Sequence, residues 1–266
     1  MLSSHAAAID PTATAKTFRV IEADDPDSVF EYLDTASSRA GIYALSQKLA
    51  LPRMAIIGLG GTGSYVLDVV AKTPVHGIHL FDGDHYLQHN AFRSPGAATL
   101  AELKAAPKKV HYFRDRYAPM RRNIVAQDFH IDAANADCLD GMVFVFLCVD
   151  RGDVKRPIIE KLEALGIPYV DVGMGIDLVD DKLQGIVRTT TCTARMNAHV
   201  RDKKRIGLSA GAADDLYAKN IQIADLNAAL AVIKWKKLFG FYLDLDDEHH
   251  CTYTLDGNML LNEDKP

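Results

Sequence analysis

Residues 53–93 read RMAIIGLGGTGSYVLDVVAKTPVHGIHLFDGDHYLQHNAFR, and the rest of the chain is interpreted from this stretch. An apolar run, Met54 to Ile57, enters a glycine cluster (Gly58, Gly60, Gly61, Gly63) closed by Ser64. Apolar positions at helical spacing follow at Tyr65, Val66, Val69 and Val70. That order predicts a strand, a tight turn and a helix start. Glycines so spaced let the backbone turn sharply and approach a phosphate, while the helix N-terminus offers unpaired N–H groups and the positive end of its dipole. A nucleotide is the ligand that suits such a turn. A second apolar run, 77–81, ends in Asp82, whose carboxylate is placed to accept hydrogen bonds from ribose hydroxyls.

Outward from this unit, strand and helix patterns keep alternating. A helix is expected at 99–104, another around Val110 and Phe113, and a third strand within 123–132. Residues 142–149 are continuously apolar, as a central parallel strand covered on both faces should be, and they end at Asp150. A helix over 154–165, a strand over 167–172 closing on Gly173 and Gly175, and a strand over 184–191 follow. Residues 194–205 read as a mobile polar loop. Residues 221–239 read as an amphipathic helix with Leu226, Leu230, Ile233 and Leu238 facing the core. The runs 241–245 and 252–261 are expected to pair as a terminal hairpin. Before the glycines, 17–22 reads as a short edge strand. Capping residues at 25–28 predict a helix through Val29, Phe30, Tyr32 and Leu33, and a second helix over 42–49 stops at Pro52. The fold expected is α/β: a Rossmann-like, doubly wound, mostly parallel sheet with N-terminal helices and a C-terminal helix plus hairpin. Residues 1–45 read as an extension with a helical segment, and 46–266 as the nucleotide-handling domain.

Composition narrows the function classes. The chain has 266 residues, 48% hydrophobic and 24% charged, enough to bury one substantial core. No apolar run approaches the ~20 residues of a membrane-spanning helix. The N-terminus has neither a basic start nor a long apolar segment, so a cytoplasmic protein is expected. A net charge of -5 gives no global reason to bind nucleic acid, and the short basic runs 121–122 and 201–205 read as solvated loops. The four cysteines, Cys138, Cys148, Cys192 and Cys251, form no CxxC pair, which argues against a zinc knuckle or a dithiol redox site.

Dinucleotide enzymes and ATP enzymes share the first βαβ unit, so the surroundings of the phosphates decide between them. A dinucleotide pyrophosphate stays intact on a helix N-terminus, whereas expelling pyrophosphate from ATP develops charge that needs cations and a metal. Asp84, Asn90, Arg93 and Lys108 follow Asp82 and supply polar and positive groups; Lys109 reads as a solvated neighbour of Lys108. Asp84 is equally a cap of its own loop. Asp150, at the carboxyl end of a buried strand, suits Mg²⁺. The pair His249 and His250 has no companion at ligand spacing and reads as exposed loop.

With GLGGTGS at 58–64, DGDHYLQHNAFR at 82–93, Pro107-Lys108 and the strand ending in Asp150, the chain resembles the ubiquitin-activating-enzyme-like superfamily that includes ThiF and MoeB. The resemblance covers about 38–239. It implies ATP and Mg²⁺ as cofactors, with Asp82 on the ribose, Asn90, Arg93 and Lys108 on the phosphates, and Asp150 on the metal. Arg39 would match an arginine that reaches into a partner subunit's site in a homodimer, or be a solvated helix-end charge. The chain departs from ThiF and MoeB in lacking their two zinc-binding CxxC pairs. Cys192, at the entrance to a crossover loop (192–215), stands where a family thioester cysteine could lie, with Arg188, Arg195 and His199 nearby; the alternative is a buried strand cysteine.

The resemblance implies adenylation of the C-terminus of a ubiquitin-like protein ending in glycine, then thioester formation on Cys192 and hand-over to a conjugating enzyme in a bacterial pathway. Adenylation alone, for sulfur-carrier or tRNA modification, is the nearest alternative. A nicotinamide-dependent oxidoreductase and a non-catalytic scaffold for ubiquitin-like proteins are the others.

Overall fold

The computed structural model describes residues 2–11, 13, 20–23, 25–208 and 223–266. Eight strands form one sheet in the order β3-β2-β1-β4-β5-β6-β7-β8. They are β1 (Met54–Ile57), β2 (Ile78–Phe81), β3 (Ile124–Gln127), β4 (Phe144–Leu147), β5 (Tyr169–Val179), β6 (Lys182–Cys192), β7 (His250–Thr254) and β8 (Met259–Glu263). The first five in spatial order are parallel, and β5 through β8 continue as an antiparallel meander. This is the Rossmann-like, doubly wound, mostly parallel sheet expected from the sequence.

Period-two alternation splits the apolar residues between two cores. Met54, Ile56, Phe144 and Phe146 join the cluster under the helices Gly61–Val70, Lys109–Tyr117 and Ala224–Leu238. Ala55, Ile57, Val145 and Leu147 face the other way, onto Ile158, Ile159 and Leu162 of the helix Gly152–Leu165. With both faces covered, β1 and β4 are buried throughout. The chain runs from β1 to β2 on one side and fills the other side of β1 with β4. The carboxyl ends of β1 and β4 therefore flank the point where strand order reverses, the position at which such sheets hold ligands.

Several expectations fail for identifiable reasons. Residues 29–33 form no helix: Phe30 bridges to Arg121, and Glu31 N donates to Met120 O at 2.9 Å, so the segment extends along the 120–122 turn. The helix here is Thr35–Arg39, capped by Asp34, which accepts from the N–H groups of Ala36 and Ser37. Arg121 is not a solvated charge but 2% exposed, donating to the carbonyls of Ala71, Thr73 and Val75. Arg122 pairs with Glu31 at 3.0 Å.

Residues 194–205 contain the helical turn His199–Asp202, because Val200 and, just beyond it, Ile206 sink into the second core. The C-terminal helix is rotated from the face predicted. It buries Asn227, Ala228, Ala231, Val232 and Trp235 and leaves Ile233 43% exposed. Alanines let it lie close to the Gly61–Val70 helix, and Trp235 fills the space beside Phe146, ring centroids 6.0 Å apart. The terminal hairpin is β7 with β8; residues 241–245 form no strand, and Asp244 instead meets Lys234 at 2.9 Å. His249 and His250, expected in an exposed loop, are 1% and 3% exposed where the chain enters β7. Residues 17–19 of the expected edge strand, 209–215 of the crossover loop and the helix start at 221–222 lie outside the described residues. Among the described residues, no helix is long and apolar enough to cross a membrane.

Candidate nucleotide site

The site begins where β1 turns into the Gly61–Val70 helix. Gly58 sits at φ +88°, and a Cβ there would lie 2.7 Å from the carbonyl oxygen of Cys148 at the end of β4. A Cβ on Gly63 would fall 1.8 Å from Gly58 O, so the helix packs against the strand end only because neither residue has a side chain. Gly60 is the N-cap and Gly61 the first helical residue. Ser64 is fully buried and donates to Gly61 O at 2.8 Å, closing the first turn. The result is a helix N-terminus aimed at the crevice between β1 and β4.

Asp82, 5% exposed, braces this turn from β2. One carboxylate oxygen accepts from Leu59 N at 2.7 Å and the other from Asp84 N at 2.9 Å. A short antiparallel bridge between His85 and Lys108 then carries the start of the Lys109–Tyr117 helix to the same place.

This arrangement corrects the sequence reading of Lys109 as a solvated neighbour of Lys108. Lys109 is 7% exposed, its ammonium 2.7 Å from Asp84 Oδ2 and 3.5 Å from Asp82 Oδ2. Lys108, the helix N-cap, turns to Gly83 O at 2.5 Å. Partial burial works against the Asp84 charge, but Lys109, with His130 and Lys108 behind it, holds that carboxyl below its ordinary range. Asp82, Asp84 and His130 offer ligand atoms within 4.8 Å of one another, yet the Lys109 ammonium already occupies the space between the carboxylates as their counter-cation.

Asn90 is 4% exposed, its side-chain oxygen accepting from Leu87 N at 2.9 Å, which fixes the turn leading to Arg93. Burial pushes the Arg93 guanidinium below its ordinary pKa while the Asp150 charge opposes that, so Arg93 and Asp150 feel one another across the crevice. Asp150 itself is exposed just beyond β4. Arg39 is exposed on the Thr35–Arg39 helix, away from the β1 turn in sequence and on a separate element.

The structure thus gathers Gly58, Gly60, Gly61, Gly63, Ser64, Asp82, Asp84, Asn90, Arg93, Lys108 and Asp150 around the carboxyl ends of β1, β2 and β4. It adds Lys109, which the sequence hid because two adjacent lysines differ only in which one begins the helix.

Cys192 does not join them. It pairs with Tyr169, the first residue of β5, which in turn is level with Val145 near the start of β4. From Val145 to Asp150 is about 16 Å at ~3.3 Å per residue, so the thiol lies at the opposite margin of the sheet. It is 3% exposed, and burial pushes it up to about 11. Of the two readings of Cys192, its burial matches that of a buried strand cysteine: β6 runs antiparallel, so its carboxyl end arrives at the margin away from the glycine turn. Cys148 and Cys251 are buried too, and burial raises the Cys138 thiol as well.

Residues 33–197 match the ThiF family, and residues 1–35 match a domain of unknown function, DUF6791. Ubiquitin-like modifier-activating enzyme 5 of Culex quinquefasciatus is 24% identical over 162 residues, covering 57% of this chain and 41% of that protein. The Aedes aegypti enzyme of the same name is 22% identical over the same coverage, so the chain spans less than half the length of these relatives. Among solved structures, E. coli MccB with ATP has a TM-score of 0.65 at 14% identity, covering 87% of this chain and 72% of that one. PaaA has a TM-score of 0.63 at 14% identity, covering 98% and 80%. These two likenesses bear on fold. The family match spans well over half of the chain and contains the glycine turn, Asp82, Lys109 and Asp150; the protein belongs to the ThiF family.

Proposed function

We propose that the protein uses ATP to adenylate the C-terminal carboxylate of a protein or peptide, a ubiquitin-like protein ending in glycine being the partner class that fits best. The observation that carries this reading is the set of cations, Arg93, Lys108 and Lys109, assembled round a glycine turn at the reversal point of the sheet. ThiF membership supports it, as do relatives named for activating ubiquitin-like modifiers and a structural neighbour described with ATP and with MccA.

The turn's N–H groups and the helix dipole would hold the phosphates, and Arg93 would offset the charge that grows on the leaving group. A carboxylate oxygen of the incoming chain attacks the α-phosphorus. The Pα–O–Pβ bond breaks, and pyrophosphate leaves with the electron pair. A carboxylate is already deprotonated, so no general base is needed. Asp150, an exposed carboxylate just beyond β4, fits Mg²⁺, which takes one or two carboxylates plus phosphate oxygens and would neutralise their charge. The reading ends at the acyl-adenylate, because Cys192 is buried at the far margin. Residues 46–266 form the adenylation unit in this reading and residues 1–45 an extension. A two-fold dimer in which Arg39 reaches a neighbouring crevice belongs to the same reading.

Calorimetry with Mg·ATP and with NAD tests it. Binding of Mg·ATP but not NAD is expected, and Asp150→Ala should lose the Mg²⁺ dependence of ATP binding while melting as the wild type does. Tight NAD binding with no response to Mg·ATP would falsify the reading.

A further inference from the structure

Asp171 on β5 is fully buried and serves two cations that the adenylation mechanism above does not use. Lys155 Nζ lies 2.5 Å from its Oδ1. Arg188 Nη1 lies 2.9 Å from its Oδ2, off the line of a hydrogen bond, and donates instead to Thr190 Oγ1 at 2.8 Å. Two positive charges share one negative charge, so the group carries a net charge of about +1 in a partly desolvated place. Lys155 is sealed in, with its side chain 4% exposed, while that of Arg188 is 21% exposed, so the surplus charge is presented through the guanidinium. Among the described residues its ion pair is with Asp171 alone.

The guanidinium is also aimed. A Cβ on Gly173 would lie 2.4 Å from Arg188 Nη2 and 3.0 Å from Cζ, so the group lies flat across β5 at that glycine. Leu147, the last residue of β4, is level with Asp171, and Gly173 is therefore level with Val149, one residue before Asp150. The guanidinium therefore lies two residues along β5 beyond its last pairing with β4, on the side of the crevice away from β1 and β2. Among the described residues, β5 pairs beyond Asp171 with β6 only, so its edge facing β4 is unpaired there, and none of them lies within 4 Å of where a Cβ on Gly175 would stand.

An in-line displacement puts nucleophile and leaving group on opposite sides of the α-phosphorus. Arg93 and Lys109 stand with the glycine turn, on the β1–β2 side; Arg188 stands on the β5 side. A carboxylate approaching a triphosphate is repelled by it, and a planar guanidinium held in place both offsets that repulsion and orients the carboxylate through two parallel hydrogen bonds.

Resting on the adenylation reading, we propose that Arg188, held across Gly173 by the buried Lys155–Asp171 pair, receives the C-terminal carboxylate of the incoming tail and aims it at the α-phosphate. The site therefore selects a free carboxylate over its amide.

The test uses the full chain loaded with AMPCPP and two hexapeptides ending in Gly-Gly, one a free acid and one a carboxamide, titrated by calorimetry. The wild type should bind the acid about 10-fold or more tightly than the amide, the scale of one charge-assisted bidentate contact. Arg188→Ala should erase that preference and leave AMPCPP binding within about 2-fold of wild type, whereas Arg188→Lys should keep part of the preference. A merely structural Arg188 would alter stability without touching acid-against-amide discrimination. Equal or absent binding of the two peptides by the wild type, or an undiminished preference in Arg188→Ala, overturns the proposal while leaving ATP binding intact. Failure of the wild type to bind AMPCPP sinks the adenylation reading and this inference together.

Discussion

The end of β1 and the end of β6 lie at opposite margins of the same sheet and are finished with different materials. Past β1, the chain meets Asp82, Lys109 and Asp84, ions 5%, 9% and 57% exposed in their side chains, so charge runs in steps from the interior to the crevice. Past β6, Cys192 is packed with Tyr169, Ile158, Leu162, Val200 and Ile206. Both ends carry a residue type that chemistry uses and both have ionic neighbours, Glu163 and Arg201 in the case of Cys192, but Asp82 accepts from Leu59 N and faces Lys109, whereas at the thiol burial outweighs Arg201. Strand direction makes the difference. Parallel strands deliver their carboxyl ends to one margin, and a single reversal at β6 sends its last residue to the other.

The comparison breaks most severely at Gly63. In Gly63→Ala the new Cβ falls 1.8 Å from Gly58 O, a backbone atom that cannot swing aside, so the helix must part from β1. We expect a loss of about 3 kcal/mol or more in urea unfolding, with ATP binding abolished. A variant of wild-type stability that still binds ATP would show that the turn is looser than the strand ends require.

Next in size is the contrast between adjacent lysines. Lys109→Met leaves Asp82 buried without its cation, a change that costs about 3 kcal/mol by analogy with broken buried pairs, less whatever the solvent-facing Asp84 contact never supplied. Lys108→Met removes one hydrogen bond to Gly83 O and should cost about 1 kcal/mol. Urea unfolding and ATP titration of both variants would separate them. Greater loss of ATP affinity in Lys108→Met would restore the residue that the motif first indicated.

Those lysines also mark how far the sequence can be read. The strand, turn, helix and second strand over 54–81 were legible because the glycines, the period-two runs and the helical spacing all agree. So was β4, whose unbroken apolar run has only one comfortable place in an α/β sheet. What stayed hidden depends on contacts between distant segments. Burial of Lys109 follows from the bridge of His85 to Lys108. Phe30 follows the 120–122 turn because its bridge partner is Arg121, far along the chain. The last helix turns its alanines inward, since close approach to the Gly61–Val70 helix outweighs the larger apolar face at Leu226 and Ile233. Arg188 gave no signal at all in sequence beyond proximity to Cys192; its meaning comes from Asp171 and Gly173 on the neighbouring strand.

The smallest expected effect tests the other margin. Cys192→Ala removes one sulfur from a packed core and should cost about 1 kcal/mol, leaving ATP binding unchanged. Reactivity is the sharper measure. With its thiol pushed up to about 11, Cys192 at pH 7.5 has about 300-fold less thiolate than a free cysteine of pKa ~8.5, before access is considered. Iodoacetamide followed by mass spectrometry should therefore label Cys138, which is partly exposed, well before Cys192, and Cys192 should become reactive only as urea opens the core. Rapid labelling of Cys192 in the folded protein would mean that the segment 193–208 opens from the sheet in solution. In that event the two margins would differ by a moving cover rather than by construction, and a thiol at the far margin would again need explaining.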